Sequence, residues 1–240
     1  MKRIFLLLLI FTYTVNCSQP PEIQLSKVNR SSITDINNHS QAYLFYNIKE
    51  VDSVTLNRKN LILNTNWIVH IDARLSLKKV LPKLALLHKK RTKKSIHSKE
   101  GMKNYFSVLD LSYKRLAFID YSAFQFKYPD THSKFYIKKS PEFHIPLYNL
   151  SINFDYLNQI TVDSNPVAVS ELNSFLKEQI DFASEGKKTL LYLNFDERLS
   201  FEEYLNNYLL ISEVVNEQIK IAEQQFVYNY DKLPDCNCKL

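Results

Sequence analysis

The chain reads as an α+β protein, built from two strand-turn-helix units packed on mixed β-sheet and organised as one or two small domains. Three observations predict this. Segments with period-2 apolar alternation, the mark of half-buried strands, occur in both halves. Segments with a 3.6-residue apolar stripe follow two of them. The same strand-turn-helix pattern also occurs twice, 124 residues apart. With 240 residues and 45% apolar composition, the chain is large enough to bury a substantial core.

In chain order, residues 1–16 read as a signal segment and 17–40 as a polar tether. Residues 41–146 form an N-terminal α+β region with a basic helix and loop. Residues 147–230 form a C-terminal ββαβαβ domain, and 231–240 a cysteine-containing tail. Strands are expected near 42–48, 52–64, 66–72, 104–111 and 114–120, with a short one near 135–138. Leu77, Val80, Leu81, Leu84 and Leu87 share one face of a helix over 77–91. Pro82 costs about 3 kcal/mol inside a helix, so that helix either kinks at Pro82 or becomes regular there. Residues 92–103 read as a loop. Alternation resumes over 147–164. A helix from Ser170 to Ile180 follows, then a strand at 189–195, a helix at 200–216 and a strand at 218–229.

The repeated motif is D-x-R-L-S, present as Asp72-Ala73-Arg74-Leu75-Ser76 and as Asp196-Glu197-Arg198-Leu199-Ser200. An Asp at a strand end can bond turn amides, with the Arg on the turn surface. Ser76 and Ser200 stand where helix caps belong. Glu203, three residues after Ser200, completes a capping box, whereas Lys79 after Ser76 cannot. Asp72, Arg74, Ser76, Asp196, Arg198, Ser200 and Glu203 are therefore read as turn and cap residues and not as a catalytic carboxylate-cation pair.

The C-terminal order of elements, with Asp163-Ser164-Asn165-Pro166-Val167-Ala168-Val169-Ser170 leading into a helix and Leu193-Asn194-Phe195-Asp196 ending a central strand, resembles the periplasmic domain of the ExbD/TolR family over residues 150–229. The resemblance implies an envelope protein-binding domain. That family's membrane helix carries a proton-transferring Asp, and residues 4–11 contain no carboxylate. Proton-motive function therefore does not carry over.

Lys2-Arg3, the apolar run Ile4–Phe11 and the polar stretch before Cys17 have the order of an export signal. The run is far shorter than the roughly 20 residues of a membrane span. Thr14-Val15-Asn16-Cys17 resembles a bacterial lipobox, with Asn16 and Thr14 departing from its commonest residues. Cys17 is thus the expected lipidation site, and unlipidated secretion the alternative. Cys236 and Cys238 remain as tail thiols without a nearby His to complete a metal site.

Composition excludes several chemistries. Two glycines, Gly101 and Gly186, cannot build a P-loop, a Rossmann fingerprint or a G-x-S-x-G elbow. The six histidines form neither H-x-x-x-H nor H-E-x-x-H. No catalytic residue, metal ligand or cofactor is assigned. Formal charge is +6, unevenly placed. Residues 78–103 hold ten Lys and Arg against Glu100, a net +9, and residues 195–235 hold nine Asp and Glu against three basic residues, a net −6. Lys89, Lys90, Arg91, Lys93 and Lys94 are the expected contacts for an anionic surface. Export argues against nucleic acid as that partner. The expectation is an exported, lipid-anchored protein of the bacterial envelope, periplasmic or at the cell surface, that binds another envelope protein or an anionic glycan or lipid. An extracytoplasmic hydrolase or transferase without a familiar motif, and a secreted structural protein that self-associates, are the alternatives.

Overall fold

A computed structural model describes residues 22–29, 31–47, 54–92 and 101–233. Cys17, Lys93, Lys94, Cys236 and Cys238 lie outside the described residues. The fold is α+β, with two mixed sheets.

The first sheet contains β1 (Lys27–Val28), β2 (His39–Tyr46), β3 (Val54–Asn57), β4 (Asn66–Ile71), β5 (Asn104–Asp110) and β6 (Arg115–Asp120). Helix α1 (Leu77–Thr92) connects β4 to β5. Strands β2, β4 and β5 are parallel neighbours, with β3 antiparallel on β2 and β6 antiparallel on β5. The second sheet runs in the order β10-β9-β8-β11-β12-β7. Its members are β7 (Gln125–Lys127), β8 (Tyr148–Phe154), β9 (Ile160–Val162), β10 (Asn165–Val167), β11 (Thr189–Asp196) and β12 (Ile219–Tyr228). Helices α2 (Ser133–Lys139) and α3 (Pro141–His144) precede β8, α4 (Leu172–Ala183) precedes β11, and α5 (Phe201–Ser212) connects β11 to β12.

The echo in the sequence is a duplicated fold. The hydrogen-bonded order β3-β2-β4-β5 matches β9-β8-β11-β12, with one helix, α1 or α5, between the last two strands of each. The pairs Leu44↔Ile71 and Phe154↔Phe195 occupy the same rung, just before Asp72 and Asp196. The second repeat inserts β10 and α4, where the first has only the short connection from Asn57 to Asn66.

The two motif turns bond to each other about a pseudo-twofold axis. Ser76 and Ser200 form an antiparallel bridge. Leu77 N–H donates to Leu199 O at 2.9 Å, and its counterpart Phe201 N–H donates to Leu75 O at 2.8 Å. Lys78 N–H donates to Glu197 O at 2.8 Å, and Glu202 N–H to Ala73 O at 3.2 Å. Backbone donors left over at both helix starts are thereby satisfied across the junction. Ser200 carries a capping box with Glu203. Ser76 starts α1 through its carbonyl, which accepts from Lys79 and Val80 N–H.

One hydrophobic core joins the halves. It includes Trp67, Val69, Ile71 and Phe106 from the first sheet, Leu191, Leu193 and Phe195 from the second, and the buried stripes of α1, α4 and α5. Phe106 stacks on Tyr121 at 3.8 Å and meets Phe201 of α5 edge-on at 5.1 Å.

Several expectations require correction. Helix α1 runs from Leu77 with Pro82 inside it, so its regular part does not begin at Pro82. Because Pro82 removes only the bond to the carbonyl of exposed Lys78, water can take that carbonyl instead. Residues 135–138 are helical, within α2. Among the described residues of the expected 52–64 strand, Val54–Asn57 form a strand and 58–64 do not. Described parts of the expected tether pack on the fold: Ser26 and Val28 are buried, and Ile36 packs with Ile68, Tyr105 and Phe118. The second sheet begins with β7, ahead of residue 147, and α2 and α3 also pack on it. There Asn194 of β11 bonds Ser133 and Ser151, and Tyr192 bonds His144.

Candidate binding groove

The carboxyl half of α1 lies beside the aromatic segment that links the two sheets, Tyr121 to Tyr128. Between them runs a groove of about 910 Å³. The helix contributes Leu81, Pro82, Leu84, Ala85 and Leu87, the linking segment Phe124 and Phe126, and Trp67 forms part of the floor. This wall is held by ring contacts: Phe124 meets Tyr121, Phe126 and Tyr208 at 6.4, 6.2 and 4.8 Å. His88, Lys89 and Lys127 bring positive or protonatable groups to the lining, and Glu223 is its carboxylate. The arrangement suits a ligand that is apolar in part and anionic in part.

The basic residues expected to meet an anionic surface separate into different roles. Lys89 is exposed and lines the groove. Lys90 places its ammonium 3.4 Å from Leu61 O and 5.9 Å from the Trp67 ring centre. Arg91 also lines the groove, but its guanidinium is engaged as a structural fork. Its Nη1 donates to Leu63 O at 3.0 Å and Thr65 O at 3.1 Å, while Nε and Nη2 donate to Asn104 Oδ1 at 3.2 and 3.0 Å. The guanidinium lies 3.7 Å from the Trp67 ring centre. Burial lowers its pKa to about 10, so it stays charged at neutral pH. Burial likewise raises the Tyr121 hydroxyl well above its usual range.

The motif residues occupy a second location, at the carboxyl ends of the parallel strands. Asp72 accepts from Arg74 N at 3.1 Å and from Nε and Nη2 at 2.8 Å each. Asp196 holds Arg198 in the same way, at 2.9, 2.7 and 2.6 Å. Each guanidinium faces a tyrosine ring at the end of the first parallel strand: Tyr46 at 4.6 Å and Tyr156 at 4.1 Å. The tyrosines belong to the duplication, yet their spacing is 110 residues and not 124, so the linear echo does not reveal them. Glu197 is buried and fully engaged, accepting from Tyr128 Oη at 2.8 Å and Asn229 Nδ2 at 2.7 Å, with Lys78 Nζ at 3.7 Å.

His70, His132 and His144 are buried. His70 Nδ1 pairs with Ser107 Oγ at 2.8 Å, and its ring stacks on Tyr43 at 4.6 Å. Burial, with His39 nearby, lowers its pKa to about 4. Burial, with Lys134 nearby, lowers that of His132 to about 3. Among the described residues no group of three or more His, Cys, Asp or Glu is placed to hold a metal ion, and no helix is long and apolar enough to cross a membrane.

The aromatic wall of the groove escaped the sequence reading, although Tyr121-Ser122-Ala123-Phe124-Gln125-Phe126-Lys127-Tyr128 is dense enough in rings to have signalled it. Comparison of the chain with protein-family models, curated proteins and solved structures returned no match.

Proposed function

We propose that this chain is an exported protein of the bacterial cell envelope that is anchored to a membrane surface through a lipid on Cys17 and acts by binding. The groove between α1 and Tyr121–Tyr128 is its binding surface. The partner is an envelope protein that presents a segment with both apolar and acidic side chains. The single observation that carries this reading is the groove's chemistry: an aromatic and aliphatic interior beside Lys89 and Lys127. An apolar interior supplies most of the affinity, and the cations select for negative charge. The anchor rests on the order of charged, apolar and Cys-containing segments over residues 2–17. Several acyl chains on one cysteine make attachment stable where one chain gives only marginal binding.

Both parts are testable. Intact mass of the membrane-extracted protein should show cleavage before Cys17 and an added lipid, and Cys17→Ala should release a soluble form. An unmodified, water-soluble wild type refutes the anchor. For the groove, anilinonaphthalene sulfonate, an apolar ring system with one negative charge, is a suitable probe. Ala85→Trp, which fills the groove from an exposed helix position, and Lys89→Glu with Lys127→Glu should each reduce its bound fluorescence. Unchanged fluorescence in both variants refutes the groove.

A further inference from the structure

Strand β7 has one paired edge and one open edge. It pairs with β12 and ends the second sheet, and among the described residues no strand lies on its other side. The direction of its backbone groups follows from β12. Tyr228 O accepts from Glu197 N–H on the β11 side, whereas Asn229 N–H donates to Pro129 O on the β7 side. Backbone groups alternate between the two edges of a strand, so Gln225 and Val227 also turn toward β7. The register Gln225↔Phe126 then directs the backbone of Gln125 and Lys127 to β12 and turns Phe126 N–H and C=O outward. Neither has a backbone partner among the described residues.

That open edge lies in the groove beside α1. Successive side chains of a strand point to opposite faces. Phe126 packs toward Tyr204 of α5 at 6.2 Å, while Gln125 donates to Glu223 at 3.0 Å. A cavity on one face would meet alternate residues. The groove instead touches Phe124, Gln125, Phe126, Lys127 and Tyr128 in unbroken succession, so it runs along the edge. Opposite stands α1, whose exposed Pro82, Ala85 and Lys89 share one helical face on the groove. From Pro82 to Lys89 the helix rises about 10 Å, which is about the length of three strand residues. Pro82 and Ala85 are short side chains that leave room beside the strand. Lys89 and Lys127 outnumber Glu223, which is already held by Gln125.

We propose that the groove receives its partner as an added strand: an extended segment of another protein, with alternating apolar and acidic side chains, pairs with the open edge of β7. This rests on the reading of the groove as the binding surface and specifies the form in which the partner enters it. Phe126 supplies a backbone donor and acceptor. Apolar side chains of the segment rest on Pro82, Ala85 and Phe124, and acidic ones meet Lys89 and Lys127. In such pairing the main-chain bonds give affinity and the alternate side chains give selectivity. An unpaired edge otherwise invites indiscriminate association, and α1 standing over it restricts what can enter.

The test measures amide hydrogen exchange of the full mature chain by NMR, with and without the acetylated and amidated peptide Val-Glu-Val-Glu-Val-Glu. The expected result is saturable binding that slows exchange at Phe126 by about tenfold or more, while Lys127, already bonded to β12, changes little. The same peptide methylated at every backbone nitrogen keeps its side chains but lacks the donors, and should bind about tenfold more weakly. Peptide binding without slowed exchange at Phe126, or equal binding of the methylated peptide, overturns strand pairing and leaves the groove as a binding surface. Binding of anilinonaphthalene sulfonate without binding of millimolar peptide has the same meaning. Failure of both dye and peptide to bind overturns the groove itself. Protection of Phe126 that rises with protein concentration in the absence of peptide would mean that a second copy takes the edge, and would also overturn the proposal.

Discussion

Replacing Arg91 with Ala should destabilise the fold while leaving affinity for anionic surfaces nearly unchanged. The guanidinium joins three parts of the first repeat: the end of α1, the connection before β4 through Leu63 and Thr65, and Asn104 at the start of β5. Its stacking on Trp67 at 3.7 Å contributes about 1 kcal/mol. Each carbonyl that loses a charged donor costs a further ~1 kcal/mol, because water entering along the open groove restores part of the bond. The total is about 2–4 kcal/mol, a fall in Tm of roughly 5–15 °C for a chain of this size. Arg91→Lys keeps the charge but cannot hold three partners at once, and should lose about half as much. Urea denaturation of the wild type and both variants measures the stabilities, and sedimentation with vesicles containing phosphatidylglycerol measures surface affinity. The reasoning is refuted if Arg91→Ala stays within about 0.5 kcal/mol of wild type and loses vesicle binding instead.

Other predictions follow from the same geometry. Ser200→Ala removes a complete capping box and should cost about 1 kcal/mol, whereas Ser76→Ala should cost only a few tenths; equal losses by thermal melting would contradict the distinction. Asn194→Leu should cost about 3–5 kcal/mol, because it strips Ser133 N and Oγ, Ser151 Oγ and Ile152 O of a fully buried partner; hydrogen exchange over α2 should rise, and unchanged protection there would count against the network. Acid should weaken the fold before most carboxylates titrate. His70 and His132 stay neutral when folded, to about pH 4 and about pH 3, while the unfolded chain protonates them from about pH 6.5. The unfolded state then binds more protons, so stability is complete above about pH 6.5 and falls as pH drops toward 4, by at most about 1.4 kcal/mol per unit for each histidine. His70→Phe should flatten that slope, and a wild-type curve that is flat from pH 6.5 to 4.5 would exclude the mechanism.

The D-x-R-L-S echo was legible because strand, turn and cap lie within fifteen consecutive residues of each copy. Tyr46 and Tyr156 were not, since the insertion of α4 in the second repeat changes their distance from the motif. The helix over Ser133–Lys139 reads locally as a strand. It is fixed by contacts remote in sequence, from Ser133 to Asn194 and from Tyr136 to Phe226, and these override local preference. The strap at Gln24–Val28 has the composition of a tether, but its backbone donors and acceptors are claimed by Asp72, Ala73, Leu109 and Leu111. Composition cannot show such pairing. The basic block of residues 78–103 conceals the same difficulty: Lys89 and Arg91 are alike in sequence and both line the groove, yet Lys89 is exposed while Arg91 is tied to Leu63, Thr65 and Asn104 and stacked on Trp67.

If the groove beside α1 is the proposed partner site, a crosslinker placed in it should capture that partner. Photocrosslinking tests this most directly, with benzoylphenylalanine placed at Ala85 or Gln125 on the groove, and at exposed Glu178 on α4 as a control, in intact envelopes. The expected result is the same discrete protein adduct from both groove positions and none from Glu178. No adduct from the groove, or an equal one from Glu178, would contradict it.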